Sequence, residues 1–195
     1  MKRFLLAVPV VVALLVTNSC ANRKVSRMDP AQQTDISGRW NDSDSRLVAN
    51  EMIKQLLSSP WRPVFETKHS RKPVLIVGTI KNKSTEQIDP ITFIKDLEKA
   101  CVNSQTISIV QSGGDRNEVR DERNDQQTFA SEESKKKWGR EKGADFMVNG
   151  VISSIVDQYK NQKTVYYQVD LELTDLETNE KVWIGDHKIK KAIKN

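Results

Sequence analysis

The nine residues Val165-Tyr-Tyr-Gln-Val-Asp-Leu-Glu-Leu173 decide the fold class of this chain. Their apolar side chains alternate with side chains that are mostly polar: Val165, Tyr167, Val169, Leu171 and Leu173 face one way, and Tyr166, Gln168, Asp170 and Glu172 face the other. A period of two predicts a strand with one buried face and one face in water. Thr178-Asn179 then predicts a turn into a further strand over Lys181–Ile189, which makes this end of the chain an antiparallel sheet.

Three segments upstream complete the predicted sheet. Phe146–Val156 is a long apolar run, and its Asn149-Gly150 interruption predicts a β-bulge. Val74–Ile80 is dense in β-branched residues, as in a strand buried on both faces. Ile107–Gln111 is a shorter run closed by two glycines. The sheet is therefore expected to be small, and mixed or antiparallel.

Two amphipathic segments predict the helices that cover this sheet. Asp42 or Ser43 can cap the first helix, which carries one broad apolar face and ends at Ser58-Ser59-Pro60. We expect residues 61–72 to form a loop, because prolines bound and interrupt them. Asp89-Pro90 then suits the start of a helix, whose apolar residues are Phe93, Ile94, Leu97 and Cys101.

The segment between the second and third predicted strands is strongly charged. Asp115–Gln127 has Val119 as its one apolar residue, which indicates an exposed helix or, alternatively, a partner surface. Ser131 is expected to cap another helical piece anchored by Trp138, with Gly143 at its C-terminal end. Together these patterns predict one α+β domain over residues 42–195, with helices flanking the sheet.

The N-terminus predicts an exported lipoprotein. Two basic residues precede the apolar run Phe4–Val16, whose 13 residues suit a signal peptide and fall short of the ~20 that a spanning helix needs. Ser19 lies before Cys20, a pattern recognised by lipoprotein signal peptidase. We expect a signal peptide at residues 1–19 and lipidation of Cys20. Cleavage by ordinary signal peptidase, leaving a free thiol, is the alternative.

Residues 20–41 are predicted to be the lipid anchor and a flexible tether. The 21 residues after Cys20 are polar and reach ~75 Å when fully extended. Trp40 stands out among them, either packed on the domain's own surface or contacting a protein partner. Ala21 stands where an aspartate would favour inner-membrane retention, so we expect an outer-membrane protein facing the periplasm.

Composition argues against several other classes of protein. After removal of Lys2 and Arg3 with the signal peptide, 29 basic residues face 26 acidic ones, too small an excess for a nucleic-acid-binding protein. No later segment is apolar enough to span a bilayer. With Cys20 lipidated, Cys101 is alone and cannot form a disulfide within the chain.

The sequence offers no catalytic constellation, so we predict a protein that is not an enzyme. His69 and His187 have no Cys, His or carboxylate at metal-ligand spacing. No glycine-rich phosphate loop or nucleophile elbow occurs, and Cys101 lies on an apolar helix face. We expect no cofactor, no metal and no small-molecule substrate, and instead expect action through binding other proteins.

Four stretches resemble the LpoB-type activators of penicillin-binding proteins. They are the strand Val74–Ile80 with its polar loop, the helix over Asp89–Leu97, the Gly143-Ala-Asp-Phe146 strand entry, and the Glu177–Gly185 hairpin. The resemblance covers most of residues 38–194. It implies a fold like the N-terminal domain of TolB, binding to a class A penicillin-binding protein, and regulation of peptidoglycan synthesis.

Two alternatives stay open beside that resemblance. CsgG-type secretion lipoproteins have a related fold, and the alternating strand Val165–Leu173 also suits a pore hairpin. A structural envelope lipoprotein that binds peptidoglycan directly is the second alternative. The tether is shorter than that of some activators and not rich in proline, so the domain can meet only a target that rises toward the outer membrane.

Overall fold

A five-stranded mixed sheet is the framework of the structure, a computed structural model that describes residues 25–194. Its elements in chain order are α1 (Asp42–Ser58), α2 (Trp61–His69), β1 (Val74–Asn82), α3 (Ile91–Ser104), β2 (Ser108–Val110), α4 (Gly113–Phe129), β3 (Phe146–Tyr159), β4 (Gln162–Asp175) and β5 (Lys181–Lys194). The strand order is β2-β1-β3-β4-β5. β1 runs parallel to both β2 and β3, whereas β3, β4 and β5 are antiparallel neighbours. The predicted α+β class is therefore confirmed.

The chain divides into two units at Gln33. The described part of the first unit ends in a turn, in which the Gln32 N–H donates to the Asp29 carbonyl at 3.0 Å. The second unit begins at Gln33 and holds every helix and strand of the described chain. Residues 33–41 thus belong to the packed unit, although the sequence assigned them to the tether. Within residues 25–194, no helix is both long and apolar enough to cross a membrane.

The core lies on one face of the sheet, beneath α1, α2 and α3. The alternating strand β4 supplies five of its buried side chains: Val165, Tyr167, Val169, Leu171 and Leu173. Helix α1 contributes Met52 and Leu56, both fully buried, and α3 contributes Leu97 and Cys101. The alternation in β4 therefore predicted correctly which side chains enter the core.

Helix α1 begins one residue earlier than the sequence suggested. Asn41 is the N-cap: its Oδ1 accepts from the backbone N–H groups of Ser43 and Asp44, at 2.9 and 3.2 Å. Asp44 completes a capping box by accepting from the Asn41 N–H at 2.9 Å. The helix ends at Ser58, as expected from the Ser-Ser-Pro signal.

The predicted loop over residues 61–72 is wrong, because residues Trp61–His69 form helix α2. Pro60 is the N-cap and Pro63 lies in the first turn, where helical N–H groups have no intrahelical acceptor. The two prolines at the start of this helix therefore remove no intrahelical hydrogen bond. Trp61 and Phe65 secure it by packing edge-on against Phe146, with centroids 5.3 and 5.2 Å away.

One other local prediction is also wrong, and the predicted bulge occurs on one side of β3 only. Residues 131–138 form turns rather than a helix, and Trp138 is 51% exposed instead of anchoring a core. The pairing of β3 with β4 runs without interruption through Asn149 and Gly150. The pairing of β3 with β1 does not, because its register shifts between Val77 and Ile80, opposite Val148 and Gly150, so the predicted irregularity lies on the β1 side. Gly150 allows close packing, since an added Cβ would lie 2.4 Å from Leu171 Cδ2 and 2.6 Å from the Asp170 carbonyl oxygen.

Candidate docking surface

Helices α1 to α3 leave the face of the sheet opposite the core uncovered. In β3, β4 and β5 it consists of alternating side chains whose neighbours in the ladder include Ile155 with Tyr166, Tyr166 with Lys190, and Glu172 with Ile184. We call the β3–β5 part of this surface the open face. Ile155 and Ile184 are 66% and 61% exposed on it.

Polar side chains on the open face hold one another in place. Tyr166 Oη lies 3.2 Å from Gln168 Oε1, and Gln168 Nε2 donates to Asp170 Oδ1 at 2.7 Å. Along β5 and β4, Lys188 pairs with Asp186 at 3.0 Å and Lys181 with Glu172 at 2.8 Å. Exposed isoleucines set among ordered polar groups can bind a protein surface, because apolar contact contributes affinity and the polar groups fix orientation.

Helix α4 lies over the β2–β1 side of the same sheet face, and none of its residues is buried. It borders a cavity of about 450 Å³ whose apolar lining includes Ile76, Val119 and Met147. Polar contacts hold the helix instead of a core. Arg120 and Arg123 both bind Glu141, at 3.0 and 2.8 Å, and their hydrogen bonds lower the pKa of that carboxyl to about 2. The predicted exposed helix is confirmed.

Trp40 packs on the domain's own core. Its ring meets Tyr167 edge-on at 5.4 Å, and its indole N–H donates to Ser45 Oγ at 2.8 Å. Glu86 joins the two aromatic residues, accepting from the Trp40 backbone N–H at 2.9 Å and from the Tyr167 hydroxyl at 2.7 Å. Burial first, and then this hydrogen bond, raise the pKa of Tyr167. A partner contact at Trp40 stays a prediction.

An ionic cluster that the sequence did not suggest fixes the segment around Trp40. Lys191 of β5 donates to Asp35 at 2.5 Å, to Asp44 at 2.6 Å and to the Arg39 carbonyl at 3.0 Å. We call this group the Lys191 clasp. Burial disfavours the charge on Lys191, but the hydrogen bonds to both carboxylates outweigh it and raise its pKa. The bond from Lys191, followed by that from Asn41, lowers the pKa of Asp35.

Asp145, in the Gly-Ala-Asp stretch that suggested a family, joins the start of β3 to the start of β1. Its carboxylate accepts a bidentate pair of hydrogen bonds from Arg71, at 2.6 and 2.8 Å. It also accepts a hydrogen bond from the Val74 N–H at 2.8 Å. Burial opposes ionisation of Asp145, yet these donors lower its pKa. The motif therefore positions parallel strands and carries no exposed reactive group.

The remaining predicted residues do not form a shared site in the described chain. Cys101 is fully buried, and burial raises the pKa of its thiol to about 11. His69 stacks on Phe65 with centroids 4.3 Å apart, while His187 lies on β5. Among residues 25–194 no group of three or more His, Cys, Asp or Glu could hold a metal ion. Cys20 lies outside the described residues.

The described residues define a class of fold, an α+β domain with one face of its sheet left open by the core helices. The sequence model of the peptidoglycan-synthase activator LpoB family matches residues 44–189. This chain therefore belongs to the LpoB family. The resemblance inferred from the four sequence stretches is confirmed.

Solved structures to which this chain is similar include two LpoB C-terminal domains. The domain from Salmonella enterica is 16% identical with a TM-score of 0.42, over 75% of this chain and 98% of that one. The domain from Escherichia coli is 17% identical with a TM-score of 0.39, over 78% and 99%. A lipoprotein from Neisseria meningitidis is 10% identical with a TM-score of 0.36, over 62% and 83%. No curated protein matches the sequence.

Proposed function

We propose that this protein is an outer-membrane lipoprotein that binds a class A penicillin-binding protein and activates its synthesis of peptidoglycan. The observation that carries the proposal is the match to the activator family, which spans residues 44–189 and so includes most of the packed unit. The protein acts through contact with its partner, and its own side chains take no part in the chemistry of the synthase.

Lipidation of Cys20 supplies the membrane anchor in this proposal. It is supported by the apolar run that precedes Cys20 and by the small residue before it. Replacing Cys20 with alanine should give a protein that washes off membranes. Membrane association equal to that of the wild type would contradict the anchor.

The open face is the surface we assign to the synthase. Its support is the exposure of Ile155 and Ile184 beside ordered polar groups, on the side of the sheet that helices α1 to α3 leave free. Hot spots of protein interfaces are well-packed side chains ringed by polar groups that exclude water. A charge placed on either isoleucine should therefore weaken docking without disturbing the core.

The experiment is a crosslinking pull-down of the full-length lipoprotein from membranes, with the captured proteins identified by mass spectrometry. The test variant carries Ile155→Asp and Ile184→Asp. The matched control carries Val64→Asp and Val102→Asp, because these valines are 65% and 49% exposed on the helical side of the domain. Glycan-chain synthesis by the captured synthase is measured with each protein.

The wild type and the control should capture a class A penicillin-binding protein and raise its rate of glycan synthesis. The Ile155/Ile184 variant should lose both effects together. Recovery of the protein itself as a large ring, or of secretion components, would contradict the proposed function. Equal capture by both variants would contradict the open face as the docking surface. It would not contradict the activator function.

A further inference from the structure

One end of the sheet combines basic side chains with exposed apolar ones. It comprises the β3–β4 turn, the end of β5 and the segment before α1, and we call it the tether end: Ile36, Arg39, Tyr159, Lys160, Lys163, Lys190 and Lys194. Lys160, Lys190 and Lys194 are exposed there, and Lys163 is half-buried. Tyr159 is 73% exposed and Ile36 is 90% exposed. The Lys160 ammonium lies 5.2 Å from the centre of the Tyr159 ring.

The packing around Gly38 fixes where the chain enters the domain. Gly38 has φ +69°, and a Cβ added to it would lie 2.4 Å from Ile193 Cγ1, so the segment lies directly against the end of β5. The Lys191 clasp holds the same segment through Asp35 and Asp44. The packed unit begins at Gln33, so the chain joins the domain at the tether end.

The length of chain between the anchor and the domain limits how far the domain can stand from the membrane. From Cys20 to Gln33 there are 13 residue steps, which reach at most ~45 Å and typically ~20 Å as a flexible coil. Strands β3, β4 and β5 have 14 residues each, or ~46 Å in length. The tether end therefore stays within ~45 Å of the lipid surface, and typically much closer. This step rests on the anchoring of Cys20 in the proposed function.

The charge of the tether end suits an anionic surface. Among residues 25–194, no carboxylate forms an ion pair with any of four lysines there: Lys160, Lys163, Lys190 and Lys194. Asp157 is the unpaired acidic side chain on the neighbouring part of β3, since Asp35 and Asp44 are both bound to Lys191. Basic residues held close to a membrane attract anionic headgroups, and aromatic side chains favour the lipid–water interface.

We propose that the tether end docks on the anionic phospholipid headgroups of the membrane to which Cys20 is anchored. The four lysines contact the headgroup phosphates, while Tyr159 and Ile36 lie at the level of the interface. The strands then run away from the membrane, so that the open face, apart from Lys190, stays free for a partner. The short tether favours this contact, because it keeps the tether end at a high effective concentration beside the lipid.

The test places an environment-sensitive NBD fluorophore on Asn161→Cys, at the tip of the β3–β4 turn. Cys101 is buried with a raised pKa, and Cys20 carries the lipid, so labelling is confined to position 161. The full-length lipoprotein is reconstituted into vesicles of phosphatidylethanolamine with phosphatidylglycerol, and separately into vesicles of phosphatidylcholine. Emission is read at low and at high salt.

Two charge-matched variants accompany the labelled protein. The first changes the four lysines Lys160, Lys163, Lys190 and Lys194 to glutamine. The control changes four exposed lysines elsewhere in the chain to glutamine: Lys68, Lys72, Lys137 and Lys142. Removing four cations from a docked surface should lower the ratio of docked to free protein by on the order of tenfold or more.

Docking predicts brighter, blue-shifted emission from the labelled wild type and from the control on anionic vesicles. It also predicts loss of this signal at high salt, on phosphatidylcholine and in the tether-end variant. Equal emission from the two variants, with both proteins still retained on the vesicles, would overturn the docking while leaving the lipid anchor standing. Loss of the unlabelled wild type from the vesicles on washing would overturn the anchor and the docking together.

Discussion

Replacing a buried and a half-exposed tryptophan should have very different effects on stability. Trp61 is buried, and its indole N–H donates to the Leu56 carbonyl at 2.9 Å. Trp61→Ala should therefore lower the free energy of unfolding by ~3–5 kcal/mol. Trp138 is half exposed, so Trp138→Ala should cost less than ~1 kcal/mol. Urea unfolding of both variants measures the difference, and equal losses would contradict this placement.

Lys191 should be among the most sensitive charged residues of the domain. Its side chain is 10% exposed and that of Asp44 is 4% exposed, so Lys191→Met would leave a buried carboxylate without its cation. We expect the free energy of unfolding to fall by ~3 kcal/mol. This is the lower end of the range for breaking a buried ion pair, because Asp35 is partly open to water. The control is Lys188→Met, which breaks an exposed ion pair with Asp186. It should change the free energy of unfolding by less than ~1 kcal/mol.

The pH dependence of the Lys191 clasp follows from the directions of two pKa shifts. The pKa of Asp35 is lowered in the folded protein, so its contribution is complete above ~3.9 and is lost as pH falls through the folded value. The pKa of Lys191 is raised, so its contribution is complete below ~10.4 and is lost as pH rises through the folded value.

The stability difference between wild type and Lys191→Met should therefore be flat from about pH 5 to about pH 9, and should shrink beyond both limits. Urea unfolding across this range measures it. A difference that grows as the solution becomes more acid would show that another group controls the cluster.

At the scale of the elements, one glycine in β3 sets how closely two strands approach. Gly150→Ala would place a methyl group against the Asp170 backbone and the Leu171 side chain, within a continuous antiparallel ladder. We expect a loss of ~1–3 kcal/mol from overpacking. Gly143 meets nothing within 4 Å of an added Cβ, so Gly143→Ala should leave the unfolding midpoint in urea nearly unchanged. Equal midpoints for the two variants would contradict the close approach at Gly150.

Helix α4 should open more readily than the helices of the core. It has no buried residue, and its contacts with the loop after it are ion pairs and hydrogen bonds at the surface. Its backbone N–H groups should therefore exchange with solvent faster than those of α1, which buries Met52 and Leu56. Hydrogen-exchange mass spectrometry compares the two helices directly, and similar protection would mean that α4 is covered in solution.

Elements with a strong local period were predictable, whereas elements that depend on distant contacts were not. The alternation of β4 and the charged sequence of α4 each carry their own signal, and both were predicted correctly. Helix α2 was predicted as a loop because prolines usually interrupt helices. Here Pro60 is the N-cap and Pro63 lies in the first turn, where proline is tolerated. The helix predicted near Trp138 is absent because that segment offers no second apolar residue to pack, and a short helix without a buried face is unstable.

For the whole molecule, the N-terminal limit of stable structure can be tested by truncation. A chain beginning at Gln33 keeps Asp35, Gly38 and Trp40 in place, so its free energy of unfolding should match that of the longer chain within ~0.5 kcal/mol. A chain beginning at Asn41 loses the Trp40 ring and one carboxylate of the Lys191 clasp. It should be less stable by ~3 kcal/mol or more.

The open face and the Lys191 clasp differ in how well they could be predicted from the sequence. The open face was predictable, because strict alternation in β4 already separates its wet side from its buried side. The Lys191 clasp was not, since Lys191 lies 156 residues from Asp35 and 147 from Asp44 in the chain. Groups so far apart come together only through the complete strand order, which no local pattern encodes.

Strand β5 has a further consequence if the protein is crowded at a membrane surface, as the proposed anchor implies. It is one of the two edge strands of the sheet and could pair with the same strand of a neighbouring copy. An antiparallel pairing centred on Ile189 would set Lys188 of one copy opposite Lys190 of the other, and like charges across a strand pair repel. The lysines of this edge thus oppose edge-to-edge pairing of neighbouring copies, which a flat apolar edge would favour.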